Sequence, residues 1–153
     1  MKDDVTETVP RPRTQALEEA REAFRKHAWA SVFSLLSAAD EEEPLDAEHT
    51  LVFAQAALLI GKDFEGAQLL ARAHQAFQAG GAVEPAARCA FWLGFISLLN
   101  GETAKAGGWL SRAARVLENH PDCVEQGYLL LPTAYRSFHS GDLESAHATF
   151  SQA

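Results

Sequence analysis

The sequence predicts an all-α fold, a solenoid of about four antiparallel helical hairpins with the last one truncated. Three observations predict it. Glycine-led turns recur forty positions apart, at Gly61, Gly101 and Gly141. Apolar residues follow each turn at fixed offsets. Gly141-Asp142-Leu143 is followed by Ala146 and Phe150, and Gly101-Glu102-Thr103 by Ala106 and Leu110. Gly61-Lys62-Asp63-Phe64 is followed by Ala67 and Ala71, with one extra residue after the glycine. No segment alternates like a strand, and Ala, Leu, Glu, Gln and Arg dominate, which favours helix. A glycine-plus-acid turn of this kind marks the bend of a hairpin. Regular recurrence marks a stack in which each hairpin buries its face on the next. A weaker first copy reads His27-Ala28-Trp29, then Val32 and Leu36, with no glycine ahead of the tryptophan.

Eight helices follow from this pattern. Residues 1–13 are polar, contain Pro10 and Pro12, and read as a disordered arm. The helical repeat domain then spans 14–153. Its first helix runs from about Thr14 to Lys26 and its second from Trp29 to Ala39. Asp40-Glu41-Glu42-Glu43-Pro44 reads as a solvated acidic loop. The third helix covers Asp46 to Ile60 and stops at Gly61, a natural left-handed cap. Asp63 is placed to cap the fourth, which ends at Ala79 before Gly80-Gly81. Pro85 fits the first turn of the fifth, which ends near Gly101. The sixth covers Thr103 to Asn119. Asp122 is placed to cap the seventh, which runs toward Ser140 and is expected to kink at Pro132. The eighth begins at Asp142.

The alanines Ala67, Ala106 and Ala146 are expected where two helices pack closely, with Leu110, Phe150 and Phe64 filling the gaps between hairpins. Gly107-Gly108 inside a helix is expected to mark another close approach. At the end of the chain Leu143, Ala146 and Phe150 would face a neighbour that is absent. That implies either a fragment of a longer repeat protein or self-association through the open end.

Composition excludes several functions. The chain has 153 residues, 47% apolar, with a formal net charge of −8 and a pI near 5.2. Arg11, Arg13, Arg21, Arg25 and Lys26 come nearest to a basic run, and acids interleave with them. Counterion displacement needs clustered cations, so direct nucleic acid binding is not expected. Cys89 and Cys123 lie in no paired-cysteine motif and are expected as free thiols in a reducing cytosol. Met1-Lys2-Asp3-Asp4-Val5 is too polar for a secretory signal. The longest apolar stretch, Phe91 to Leu99, is about half of the ~20 residues a membrane helix needs. A soluble, cytoplasmic protein is expected.

The turn signature resembles the tetratricopeptide repeat (TPR). Leu93-Gly94, seven residues before the third bend, matches that family's leucine-glycine pair, and Pro44 matches its closing proline. The spacing of forty departs from the family's usual ~34. The resemblance implies a right-handed solenoid of TPR-like hairpins whose concave groove takes a protein or peptide. A narrower resemblance rests on Ala90-Phe91-Trp92-Leu93-Gly94-Phe95, Gly107-Gly108-Trp109-Leu110-Ser111-Arg112-Ala113 and Gly127-Tyr128-Leu129-Leu130-Leu131-Pro132. These runs are similar to the TPR-bearing part of LuxR-type helix-turn-helix transcriptional regulators. In that family a DNA-reading module follows the repeats, and this segment lacks one. The implied role is therefore effector sensing or protein interaction in transcription regulation, with a freestanding, self-associating adaptor as the alternative.

Signals for chemistry are weak. The Gly-Gly pairs lack the lysine and hydroxyl of a phosphate loop. The six histidines have no zinc-ligand company at usual spacings and are expected at the surface or in loops. Cys89 reads as a small core residue. No catalytic residue, metal or cofactor is expected. In TPR proteins the first helix of each hairpin lines the groove. Counting back from Gly101 gives Arg88, Phe91, Phe95 and Leu98. Counting back from Gly141 gives Tyr128, Leu131, Tyr135 and His139. Phe91, Phe95 and Leu131 are equally explained as core. Arg88, Tyr128, Tyr135 and His139 combine an apolar body with a polar tip and suit a half-wet binding wall. The Lys- and Asn-rich clamp of chaperone-binding TPRs is missing.

Overall fold

Five chain reversals share one geometry, and it sets the architecture. The computed structural model describes residues 12–153, so residues 1–11 of the expected arm lie outside the described residues. Nine helices and no strand occur among the described residues: α1 Arg13–Arg25, α2 Trp29–Glu42, α3 Ala47–Leu59, α4 Asp63–Ala79, α5 Val83–Leu99, α6 Thr103–Val116, α7 Val124–Tyr128, α8 Leu131–His139 and α9 Leu143–Phe150. Gly61, Gly81, Gly101 and Gly141 have φ between 73° and 84°. At each, two backbone bonds close the preceding helix. At Gly61 its own N–H donates to Leu58 O at 3.1 Å, and the next N–H, of Lys62, donates to Ala57 O at 2.8 Å. The same pair recurs at Gly81, Gly101 and Gly141. This is the Schellman closure, and it needs a left-handed residue.

The first copy solves the problem without glycine. His27 takes φ 56°, and its N–H and that of Ala28 donate to Phe24 O and Ala23 O at 3.0 and 2.9 Å. A non-glycine residue is strained here by about 1 kcal/mol. The His27 and Trp29 rings lie 5.3 Å apart, which helps hold the bend.

Helices then pack in chain order, α1 on α2 through α5 on α6, and α8 on α9. Three buried clusters form along the chain. Ala20, Val32, Leu36 and Phe53 unite α1 to α3; Leu70, Ala73, Phe77, Cys89 and Leu93 unite α4 and α5; Ala90, Phe91 and Ala113 unite α5 and α6. Small residues let these backbones approach. A Cβ on Gly66 would sit 2.6 Å from Leu58 Cγ, and one on Gly94 would sit 2.7 Å from Leu110 Cγ. Ala106 and Ala146 are buried as the pattern predicts, and Ala67 is half-buried.

Several details differ from the sequence expectations. The seventh helix does not kink at Pro132 but breaks into α7 and α8, and Pro132 sits in the first turn of α8. In a first turn the backbone N–H that proline lacks is one of those left without an intrahelical partner anyway. α7 lies against α5 and touches α8. α6 ends at Val116 rather than Asn119, and the Gln126 side chain donates to Leu117 O and His120 O beyond it, both at 3.1 Å. Lys62 and Cys123, not Asp63 and Asp122, occupy the caps of α4 and α7, without a side-chain bond. Asp46 and Asp142 do cap, accepting from His49 N and Ser145 N at 2.8 and 3.1 Å.

Asp40 is not part of a solvated loop. It belongs to α2 and accepts two 2.8 Å bonds from the Arg72 guanidinium on α4, plus one from Leu45 N at 2.9 Å. Burial alone would raise its carboxyl, but these bonds outweigh it and hold the group below its ordinary value. Phe64 fills no gap between hairpins, being 74% exposed. Leu143 is 62% exposed and Phe150 47%, while Ala146 packs inward. A Cβ added to Gly107 or Gly108 would meet nothing within 4 Å, so this pair marks no close helix contact.

The two kinds of helical glycine therefore respond oppositely to alanine. Gly107→Ala should raise stability by about 0.5–1 kcal/mol, the ordinary helix-propensity gain. Gly94→Ala should lower it by about 1–3 kcal/mol, because Leu110 must move. Urea unfolding followed by circular dichroism distinguishes the two.

Candidate functional site

Of the eight groove residues named above, all but Leu98 come together on one face. On α5, Arg88, Phe91 and Phe95 recur at helical spacing, three and four apart, and so form a stripe. On α8, Leu131, Tyr135 and His139 recur four apart and form another, which Tyr128 of α7 extends. Phe91 stacks on Tyr128 at 5.4 Å and on Phe95 at 5.5 Å. Phe95 meets the Tyr135 edge at 6.0 Å, and Tyr135 lies 4.0 Å from the His139 ring. Five rings thus run in a row, Tyr128, Phe91, Phe95, Tyr135 and His139. Leu131 packs beside them.

Access differs along the row. Phe91 is 1% exposed and is core, so it cannot touch a partner directly. Its role is to fix Tyr128 and Phe95 from below. Phe95, Tyr128, Leu131 and Tyr135 are half-buried, and His139 is exposed. Among the described residues neither tyrosine hydroxyl has a hydrogen-bond partner, so both can donate to or accept from an incoming group. Leu98 is half-buried and falls outside the row.

Arg88 closes one end. Its Nε and a terminal guanidinium nitrogen both donate to Glu125 Oε1, the former at 3.0 Å. Glu125 is only 4% exposed. Its hydrogen bond raises the Arg88 pKa further, despite partial burial. Sequence reasoning missed Glu125, which lies 37 positions from its partner on a helix of five residues. Arg88 is therefore a brace joining α5 to α7 more than a free binding group.

Other reactive groups do not assemble here. Cys89 is buried, and burial pushes its thiol up to about 12, so it is no nucleophile. No group of three His, Cys, Asp or Glu converges among the described residues. No described helix is long and apolar enough to cross a membrane. His74 corrects the expectation of surface histidines. It is buried, its Nδ1 lies 2.8 Å from Ala86 O, and its ring meets Trp109 edge-on at 5.4 Å. Its position between Leu70, Ala73 and Phe77 on the buried stripe of α4 was a readable signal.

The brace should be asymmetric. Arg88→Ala strands a buried carboxylate and should cost about 3 kcal/mol. Glu125→Ala leaves a guanidinium that reaches solvent and should cost about 1 kcal/mol. Denaturant titration of both variants measures the difference.

Comparison with known proteins supplies no relative: the chain matches no family model, no curated protein and no solved structure.

Proposed function

We propose that this chain is a TPR-like interaction module, a right-handed solenoid whose aromatic row receives a helix or extended segment of a partner protein. The observation that carries the reading is the row itself. Half-exposed rings are held rigid by a buried one, and two phenol hydroxyls have no partner among the described residues. Aromatic side chains with polar tips lose little entropy on binding and serve as anchors. The forty-residue recurrence, the shared left-handed closures and the chain-order packing support the solenoid. A grooved helical surface takes peptides by apolar anchors at helical spacing.

A narrower reading makes the module the regulatory portion of a LuxR-type regulator. It rests on the runs around Phe91-Trp92-Leu93-Gly94, Gly107-Gly108-Trp109-Leu110 and Gly127–Pro132 described above. Coding sequence beyond Ala153 that continues the repeats into a helix-turn-helix supports it. A stop there with no such module counts against it.

Tyr135→Ala tests the row. Peptides selected from a random display library on the native chain serve as the probe. The variant should bind them about tenfold more weakly or worse, with the melting temperature nearly unchanged. Unchanged affinity, or a large loss of stability, would remove Tyr135 from the binding wall.

A further inference from the structure

Trp92 touches the aromatic row but also faces away from it. Its ring meets Phe91 and Phe95 edge-on at 5.2 and 6.2 Å. It also borders a cleft of about 360 Å³ where α1 to α5 converge. Phe24, Trp29, Leu51, Leu58 and Leu59 form most of the rest of the lining, together with the buried Leu70. Trp29 is held from two sides, by Phe24 edge-on at 5.3 Å and by the strained His27 at 5.3 Å. Apart from the two indoles, Gln55 is the one polar side chain among the described residues of the lining, and no ionisable group is present. That is selective in a chain that is 22% charged with a net charge of −8.

We propose that this cleft binds an uncharged aromatic small molecule. Its volume lies at the lower end of the ~300–1,000 Å³ found for small-ligand sites, which are mostly apolar with few orienting polar groups. An ion entering it would lose hydration and meet no countercharge. Two indoles and a phenyl ring offer faces and edges to a flat ring. The Gln55 amide supplies two N–H donors and one acceptor oxygen to orient it. A polypeptide segment fits less well, because each of its buried amides needs a partner and the lining offers one amide in all. The inference uses residues outside the Arg88–His139 row and stands whether or not that row binds a protein.

The probe is N-phenyl-1-naphthylamine, a neutral aromatic amine whose emission rises in apolar surroundings, titrated into the full chain. One saturable site per chain is expected. Leu59 is 59% exposed, so Leu59→Arg should keep the fold and weaken binding at least about tenfold. Leu143→Arg, at an equally open site on α9, should leave affinity unchanged. Gln55→Glu, nearly isosteric, places a charge in the lining and should weaken binding even if Leu59→Arg fails to fold. Non-saturable uptake overturns the proposal. So does affinity kept in both cleft variants, an equal loss in Leu143→Arg, or equal binding of the anionic 1-anilinonaphthalene-8-sulfonate.

Discussion

The structure depends on one backbone constraint, a single left-handed residue just past the end of a helix. Five of the helices, α1, α3, α4, α5 and α8, finish this way, with the same two hydrogen bonds turning the chain. The closure satisfies two terminal carbonyls that would otherwise be orphaned. It also fixes the direction in which the next helix leaves. Where the residue is glycine the geometry is free of strain. At His27 it is not, and the ring contact with Trp29 compensates locally.

Close packing follows from that reversal. Once a hairpin is closed, its two helices run side by side, and the distance between them is set by the smallest residues on the facing stripes. Gly66 against Leu58 and Gly94 against Leu110 are such points. Near Gly94, α5 presents its other stripe, Arg88, Phe91 and Phe95, to α7 and α8. The ion pair between Arg88 and Glu125 and the stack of Phe91 on Tyr128 hold that second junction. It is built from side chains, whereas the earlier junctions are built from closely apposed helices. The binding face proposed for the row lies across this looser joint.

How much of this was legible follows from the range of each interaction. Helix ends at Gly61, Gly101 and Gly141 are local, and the residues that need positive φ announce themselves. The bend at His27 was readable only from the pattern after it, because histidine carries no strong left-handed signal. The break between α7 and α8 was half legible. Pro132 marked the place, but whether a proline kinks a helix or begins a new one depends on what the preceding residues pack against. Glycines in helices were misassigned for a related reason. Gly107 and Gly108 catch the eye as a pair, yet they face open space, and the close approaches occur at isolated Gly66, Gly94 and Gly127. The row of candidate residues did gather on one face, since helical spacing predicts a stripe. Its partner Glu125 and the buried state of Phe91 arise from contacts distant in sequence, which spacing does not encode.

The most direct test of the account is made at Gly101, where φ is 76° and nothing lies within 4 Å of an added L-side-chain carbon. Semisynthetic chains carrying L-alanine or D-alanine there can be compared by urea unfolding. Left-handed closure predicts that L-alanine lowers stability by about 1–2 kcal/mol, while D-alanine matches or exceeds glycine. Equal stability of the two chains, or greater stability with L-alanine, would contradict it.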